Sequence, residues 1–151
     1  MKTLKHLLLA VAGFGFVATS NIALAQETPT TAPPGVKLVE AKDIQALQAK
    51  GAMMVDARKA SEFAESTIKG AINVPYDPEK SAKDPNFDAS LDRFDLSKFT
   101  DKNKDIVTFC NGPTCWKGYK AAVVLSKAGF KNIHWYRVGL PDWKARKLPT
   151  E

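Results

Sequence analysis

Cysteine and histidine are scarce in this chain, whose 151 residues contain two of each. His6 lies in the N-terminal leader, so His134 is the one histidine of the region predicted to fold, and a histidine-based metal site is disfavoured. The sequence also lacks a run of five or more Lys and Arg residues, and its aromatic and basic residues do not alternate. These absences disfavour nucleic-acid binding. No internal repeat occurs, which excludes a solenoid or propeller.

The chain also lacks an N-terminal apolar run long enough to cross a bilayer. Residues 7–18 form an apolar stretch of twelve residues, whereas a spanning helix needs about 20. Lys2 and Lys5 precede this stretch, and Ala23-Leu24-Ala25 follows it as an A-x-A cleavage signature. The pattern predicts a signal peptide at 1–25, cleavage after Ala25, a periplasmic location and no stable membrane span after cleavage. The alternatives are an uncleaved anchor and a fortuitous apolar start.

The predicted mature chain has a mild positive charge. Residues 1–25 hold two Lys and no acidic residue, so 20 basic and 16 acidic residues remain and the net charge is 20 − 16 = +4. That sign fits an anionic substrate or an acidic partner only weakly. Residues 26–35, rich in Pro and Thr, predict a flexible tether. Residues 36–149 then form one globular domain.

Short apolar runs alternate with helical patterns through that domain. Strands are predicted at 36–39, 53–56, 70–75, 106–109 and 133–136, and helices at 41–50, 61–65, 120–127 and 142–146. This alternation predicts an α/β fold with a mainly parallel sheet and helices on both faces. Residues 76–104 predict a long loop with one or two helical turns, whose aromatic side chains pack on the core or form a partner surface. Ligands of such folds bind at the carboxyl ends of the strands.

Both cysteines fall in one loop between a predicted strand and a predicted helix. Cys110 ends the strand, Asn111-Gly112-Pro113 demands a turn, and Cys115 precedes the helix. A disulfide between them would close a very short ring and stabilise the fold little, so the pair indicates chemistry rather than a structural cross-link. Loop N–H groups and the helix dipole favour a thiolate and an anion beside it. Asp56 also ends a strand and is expected at the same crevice.

Four sequence blocks together resemble the rhodanese-like domain. They are Val-Asp-Ala-Arg at 55–58, Ile-Lys-Gly-Ala-Ile-Asn-Val-Pro at 68–75, the cysteine loop followed by paired alanines at 121–122, and Ala-Gly-Phe-Lys-Asn-Ile at 128–133 with Gly-Leu-Pro-Asp-Trp at 139–143. The resemblance implies an α/β fold and a sulfurtransferase in which Cys110 carries a persulfide. Sulfur would come from a donor such as thiosulfate and pass to a thiol or a periplasmic acceptor protein. The implied mechanism needs no metal or organic cofactor.

The loop departs from the family pattern in three ways. Lys117 stands where the family usually has Arg, and a lysine offers a point charge rather than a bidentate fork. The loop is longer than usual. Cys115 is additional, and its pairing with Trp116 resembles an exported subgroup of rhodanese-like proteins, some of them associated with periplasmic oxidation pathways.

These considerations give the candidate site residues. Cys110 and Cys115 are the candidate catalytic residues, with Cys110 favoured as the nucleophile because it ends a strand, and Cys115 kept as the alternative because it lies nearer the helix. Candidate substrate contacts are Asn111, Gly112, Thr114, Trp116, Lys117 and Gly118. Candidate supporting residues are Asp56 and Arg58, and Arg58 is predicted to pair with Glu62 four positions on.

Two other functions remain open at this stage. The cysteine pair could serve a thiol–disulfide redox protein, although its C-x4-C spacing differs from C-x-x-C. The domain could also be a non-catalytic binding module that uses the 76–104 loop. Phosphatase activity is disfavoured because Trp116 occupies the position that would need Arg.

Overall fold

A parallel sheet forms the centre of the molecule in a computed structural model, which describes residues 25–151. Its strands are β1 (Val36–Leu38), β2 (Met53–Asp56), β3 (Ala71–Asn73), β4 (Asp105–Phe109) and β5 (Asn132–Tyr136), in the spatial order β1-β5-β4-β2-β3. All four strand pairings are parallel. The predicted α/β class and parallel sheet are therefore confirmed. The predicted signal peptide, except for Ala25, lies outside the described residues.

Four helices cover the two faces of the sheet: α1 (Ala41–Ala49), α2 (Ala60–Glu65), α3 (Trp116–Lys127) and α4 (Gly139–Ala145). Side chains point alternately to the two faces of the sheet along each strand, so each face packs into a separate hydrophobic core. Val107 and Phe109 of β4 pack with Ile44 of α1 and Trp143 of α4. Ile106 faces the other side, where it packs with Leu125 of α3.

Helix α3 begins four residues earlier than the sequence predicts. Gly118 hides this start, because glycine is a poor helix former. Here the glycine is needed for packing: a Cβ at position 118 would lie 3.0 Å from the carbonyl carbon of Phe109. The first turn of α3 therefore approaches β4 closely, which brings the helix start beside the end of the central strand. Helix α4 also starts early, at Gly139, and its Pro141 is tolerated because it lies in the first turn.

The irregular region between β3 and β4 is ordered by Asp92. Its carboxylate accepts hydrogen bonds from the Tyr76 hydroxyl (3.0 Å), the Ser81 hydroxyl (2.8 Å) and the Asp88 N–H (3.0 Å). Two short 3-10 turns, Glu79–Ala82 and Leu96–Lys98, are the helical turns of this segment. Its apolar residues divide between two environments. Phe94 and Phe99 pack toward the core, whereas exposed positions are Phe87, Leu91 and Leu96.

Residues 26–34 run along the protein surface without helix or strand. Thr28 at one end donates two hydrogen bonds to the Pro113 carbonyl, one from its N–H and one from its hydroxyl, both at 2.8 Å. Near the other end, the Ser126 hydroxyl donates to the Pro34 carbonyl at 3.0 Å. The composition of this segment, from which a flexible tether is predicted, gave no indication of these contacts.

Candidate active site

Cys110 directly follows β4, the central strand, at the carboxyl edge of the sheet. It is 3% exposed, and its carbonyl oxygen accepts a hydrogen bond from the Leu140 N–H at 3.0 Å. Gly139 lies against the same peptide: a Cβ there would collide with the Cys110 carbonyl oxygen and lie 2.7 Å from the Gly112 nitrogen. The start of α4 thus fixes the backbone of the first cysteine.

Cys115 occupies the N-cap position, directly before the first residue of α3, and is bonded to Cys110 through a disulfide. The Cys115 N–H donates to the Gly112 carbonyl at 3.0 Å, which closes the turn between the cysteines, and their Cα atoms are 6.1 Å apart. The first N–H groups of a helix have no intrahelical acceptor and carry partial positive charge. Cys115 therefore lies at a helix start of partial positive charge and is joined there to Cys110.

A buried ion pair supports the loop from the neighbouring strand. Asp56, at the end of β2, is fully buried and accepts from Arg58 Nη2 at 2.6 Å and from the Thr67 hydroxyl at 2.8 Å. The Arg58 Nη1 reaches Asn111 Oδ1 at 3.4 Å. The predicted pairing of Arg58 with Glu62 is wrong, because the carboxylate of Asp56 is nearer and already desolvated. Glu62 instead accepts a hydrogen bond from the Asn111 side chain.

The candidate substrate contacts separate into two groups. Asn111, Gly112 and Thr114 lie in the turn between the cysteines. Three others belong to the first turn of α3, namely Trp116, Lys117 and Gly118. Gly118 packs on β4, and its carbonyl accepts from the Thr108 hydroxyl at 3.0 Å.

Lys117 has a carboxylate partner in the structure. Its ammonium group is 2.6 Å from Glu79 Oε2, and its side chain is 1% exposed, whereas that of Glu79 is 57% exposed. An anion that binds at Lys117 must therefore compete with Glu79. The sequence gave no signal for this pair, because the two residues are 38 positions apart.

Tyr136 is the residue of β5 nearest the loop in register, since it pairs with Phe109. Its hydroxyl donates to Asp142 at 2.6 Å. Burial, together with this hydrogen bond and the charge of Asp142, raises the pKa of Tyr136 far above its usual range. Tyr136 is thus a neutral donor at physiological pH and not a general base.

The described residues give no sign of a metal centre or a membrane span. Within residues 25–151, three or more His, Cys, Asp or Glu side chains are nowhere grouped to hold an ion. No helix in the same range is long and apolar enough to cross a bilayer. His134, the histidine of the folded region, accepts or donates one hydrogen bond with Asp105 at 2.8 Å.

Comparisons with known proteins agree with this architecture. The model of the rhodanese-like domain family matches residues 40–146. The Rhodanese_3 like domain of the Alr3790 protein from Anabaena sp. is 26% identical, with a TM-score of 0.51, over 67% of this chain and 99% of that domain. The BH2092 protein from Bacillus halodurans is 25% identical, with a TM-score of 0.58, over 76% of each chain.

A thiosulfate sulfurtransferase from Pseudomonas aeruginosa has the same fold. It is 22% identical, with a TM-score of 0.56, over 77% of this chain but 20% of that one. The comparison with curated proteins found no match. The family match covers well over half of the chain, and the similar solved structures share its α/β fold, so this chain belongs to the rhodanese-like domain family.

Proposed function

We propose that the protein is a periplasmic sulfurtransferase in which Cys110 takes a sulfane sulfur from a small anion such as thiosulfate. The observation that carries this proposal is the position of Cys110, at the carboxyl end of the central strand and bonded to a second cysteine at a helix N-terminus. Membership of the rhodanese-like family supports the same class of chemistry. The predicted signal peptide supports export.

The transfer consists of two displacements at sulfur. The Cys110 thiolate attacks the outer sulfur of thiosulfate, an S–S bond forms, and sulfite leaves with the electron pair of the broken S–S bond. An acceptor thiolate then attacks the terminal sulfur of the Cys110 persulfide, which regenerates the Cys110 thiolate. N–H groups of the loop and of the first turn of α3 stabilise the negative charge on the terminal sulfur.

Cys115 provides a second reaction by which the Cys110 persulfide can be consumed. Its thiolate can attack the Cys110 sulfur, form the Cys110–Cys115 disulfide and expel the terminal sulfur as hydrosulfide. The disulfide must then be reduced by two equivalents of a thiol before the next cycle. The acceptor is accordingly a small thiol or a periplasmic redox or sulfur-acceptor protein.

A thiol–disulfide redox function is the second candidate, because the two cysteines are bonded in the structure. In that case the cysteine pair exchanges electrons with a partner dithiol and carries no sulfur. A non-catalytic binding module is the third possibility, in which neither reaction occurs.

Sulfur loading separates these functions. The protein is reduced, freed of reductant and incubated with thiosulfate, and intact mass is measured for the wild type, Cys110→Ser and Cys115→Ser. We expect a fraction of the wild-type molecules to carry one added sulfur atom. This fraction should be larger in Cys115→Ser, because the resolving thiol is gone, and zero in Cys110→Ser. Sulfite should equal the retained sulfur in Cys115→Ser, and the sum of retained sulfur and released hydrosulfide in the wild type.

Other outcomes select other functions. Loading that persists in Cys110→Ser and disappears in Cys115→Ser would make Cys115 the nucleophile. Absence of loading in all three proteins, with a disulfide that is readily reduced and re-formed, would identify a redox protein. A protein that neither takes up sulfur nor readily reduces and re-forms its disulfide would be the non-catalytic binding module.

A further inference from the structure

The segment Gln26–Pro29, called the strap below, crosses the loop that joins the two cysteines. Thr28 is 2% exposed, although its neighbours in the strap are exposed. Its N–H and hydroxyl converge on one acceptor, the carbonyl of Pro113, which lies between Cys110 and Cys115. Two donors of one buried residue converge on this carbonyl, so release of the strap breaks both hydrogen bonds together.

The strap also contacts the loop on the far side of Cys115. The indole N–H of Trp116 donates to the Gln26 carbonyl at 2.9 Å. Trp116 is 6% exposed and packs edge-on against Tyr119, which packs in the same way against Trp135. The strap therefore holds residues on both sides of Cys115.

Arg137 anchors the strap to the sheet. Its guanidinium donates to the carbonyls of Thr28 (2.9 Å) and Pro29 (2.9 Å) and pairs with the Glu27 carboxylate at 2.9 Å. Arg137 follows β5 directly and lies two residues before Gly139, whose backbone touches Cys110. One arginine thus connects the strap to the element that fixes the first cysteine.

Both cysteines are nearly inaccessible in this arrangement, with 3% of Cys110 and 7% of Cys115 exposed. A thiol reductant must approach a sulfur atom along the axis of the disulfide, so the residues that bury the two cysteines, which include the turn from Gly112 to Thr114 between them, must move to admit it. Pro113 is the residue of that turn to which the strap is bonded. Release of the strap is therefore coupled to opening of the turn.

We propose that the strap controls reduction of the Cys110–Cys115 disulfide, with Thr28 and Arg137 as positioning residues. In the closed state the loop excludes reductants. When the strap is released, a thiolate attacks one cysteine sulfur, forms a mixed disulfide and displaces the other cysteine as a thiolate. A second thiolate attacks the reductant sulfur of the mixed disulfide, forms the disulfide of the oxidised reductant and displaces the remaining cysteine as a thiolate, so two thiols are oxidised for each disulfide reduced.

The test compares rates of disulfide reduction by dithiothreitol. The protein is purified as cells produce it from the full chain, its N-terminus is read by intact mass, and free thiols are trapped with a maleimide at successive times. Thr28→Val replaces the hydroxyl with a methyl group and keeps the branched shape of the buried side chain. Thr28→Pro deletes both donors to Pro113, and Arg137→Gln deletes the anchor. Matched controls are Thr31→Val and Thr31→Pro, at an exposed threonine two residues beyond the strap.

We expect Thr28→Val to accelerate reduction about fivefold, the effect of one hydrogen bond, and Thr28→Pro and Arg137→Gln to accelerate it by about tenfold or more. The Thr31 variants should match the wild type. Urea midpoints of the oxidised proteins are measured in parallel, and the acceleration should exceed any change that a lower global stability explains.

Two results would overturn the proposal. One is an unchanged reduction rate in Thr28→Val and in Arg137→Gln, which are the milder variants and decide the matter if Thr28→Pro does not fold. The other is the presence of two free thiols in the untreated wild type under air. Thiosulfate is absent from this experiment, so the result is independent of the proposed sulfurtransferase activity.

Discussion

A methyl group at position 139 should damage the site more than a methyl group at any comparable glycine. Gly139 has a φ of 62°, in the left-handed region, and its Cα faces the peptide of Cys110. Gly129 has a similar φ of 86°, yet a Cβ there meets no atom within 4 Å. The variants Gly139→Ala and Gly129→Ala therefore share the backbone strain and differ in the collision.

The expected magnitudes follow from these two terms. The strain of a left-handed alanine costs about 1–2 kcal/mol, partly offset by the lower entropy of the unfolded alanine chain, so Gly129→Ala should lose about 1 kcal/mol. Forcing an added carbon into a packed site costs about 1–3 kcal/mol more. Gly139→Ala should thus lose about 2–4 kcal/mol of unfolding free energy.

Urea unfolding of the disulfide-bonded proteins measures this difference. Because the displaced atoms belong to Cys110 and Gly112, Gly139→Ala should also load less sulfur from thiosulfate than Gly129→Ala at equal folded fraction. Equal losses of stability and equal loading in the two variants would show that α4 does not fix the backbone of the first cysteine, and would refute the reasoning.

Three further predictions concern the charged groups. Arg58→Met leaves Asp56 buried without its partner, so unfolding free energy in urea should fall by about 3–5 kcal/mol, whereas a loss below 1 kcal/mol would mean that the pair is solvated. Burial of Asp92 would raise its pKa, but hydrogen bonds from Asp88, Ser81 and Tyr76 and the charge of Lys120 hold the pKa below the usual range. The stability that the ionised Asp92 carboxylate contributes is complete above the unfolded pKa of about 3.9. This stability is lost as the pH falls through the folded pKa. The stability gap between wild type and Asp92→Asn should therefore be present at pH 7 and narrow below about pH 4, and a constant gap would contradict this. Glu79→Gln removes the carboxylate partner of the Lys117 ammonium, so the KM for thiosulfate should fall about twofold to threefold, the effect of one ion pair whose carboxylate is solvated, while the exposed control Glu65→Gln leaves it unchanged.

The sheet could be predicted because its strands are short runs of β-branched and apolar residues with polar or turn residues at their ends. Ile106 to Phe109 is such a run, and Cys110 follows it. The position of the first cysteine at the carboxyl edge of a parallel sheet follows from that pattern. The start of α3 could not be predicted in the same way, because Gly118 reads as a helix breaker unless its contact with Phe109 is known.

Long-range polar contacts of the site lay beyond sequence reasoning. Lys117 and Glu79 form a pair that no local spacing rule describes. The contacts of the strap were harder still to predict, since most of their acceptors, at Pro113, Thr28 and Pro29, are backbone carbonyls, which every residue possesses. A polar, proline-rich composition predicts that the residues of a segment are mostly exposed. It does not reveal a single buried threonine whose two donors hold the segment against the protein.

Helix α3 holds the region between β3 and β4 through two buried lysines one turn apart. Lys117 reaches Glu79, and Lys120 reaches Asp92 at 3.6 Å and also the Asn86 carbonyl. Between residues 79 and 92 these contacts to α3 are thus made by charged side chains, whereas the strands of the sheet are held by apolar packing. In amide hydrogen exchange at rising salt, residues 79–92 should open as a unit of their own, at a free energy below that of the sheet. In a rhodanese-like domain built in this way, residues 79–92 can become disordered while the central strand, and the cysteine at the end of that strand, stay in place.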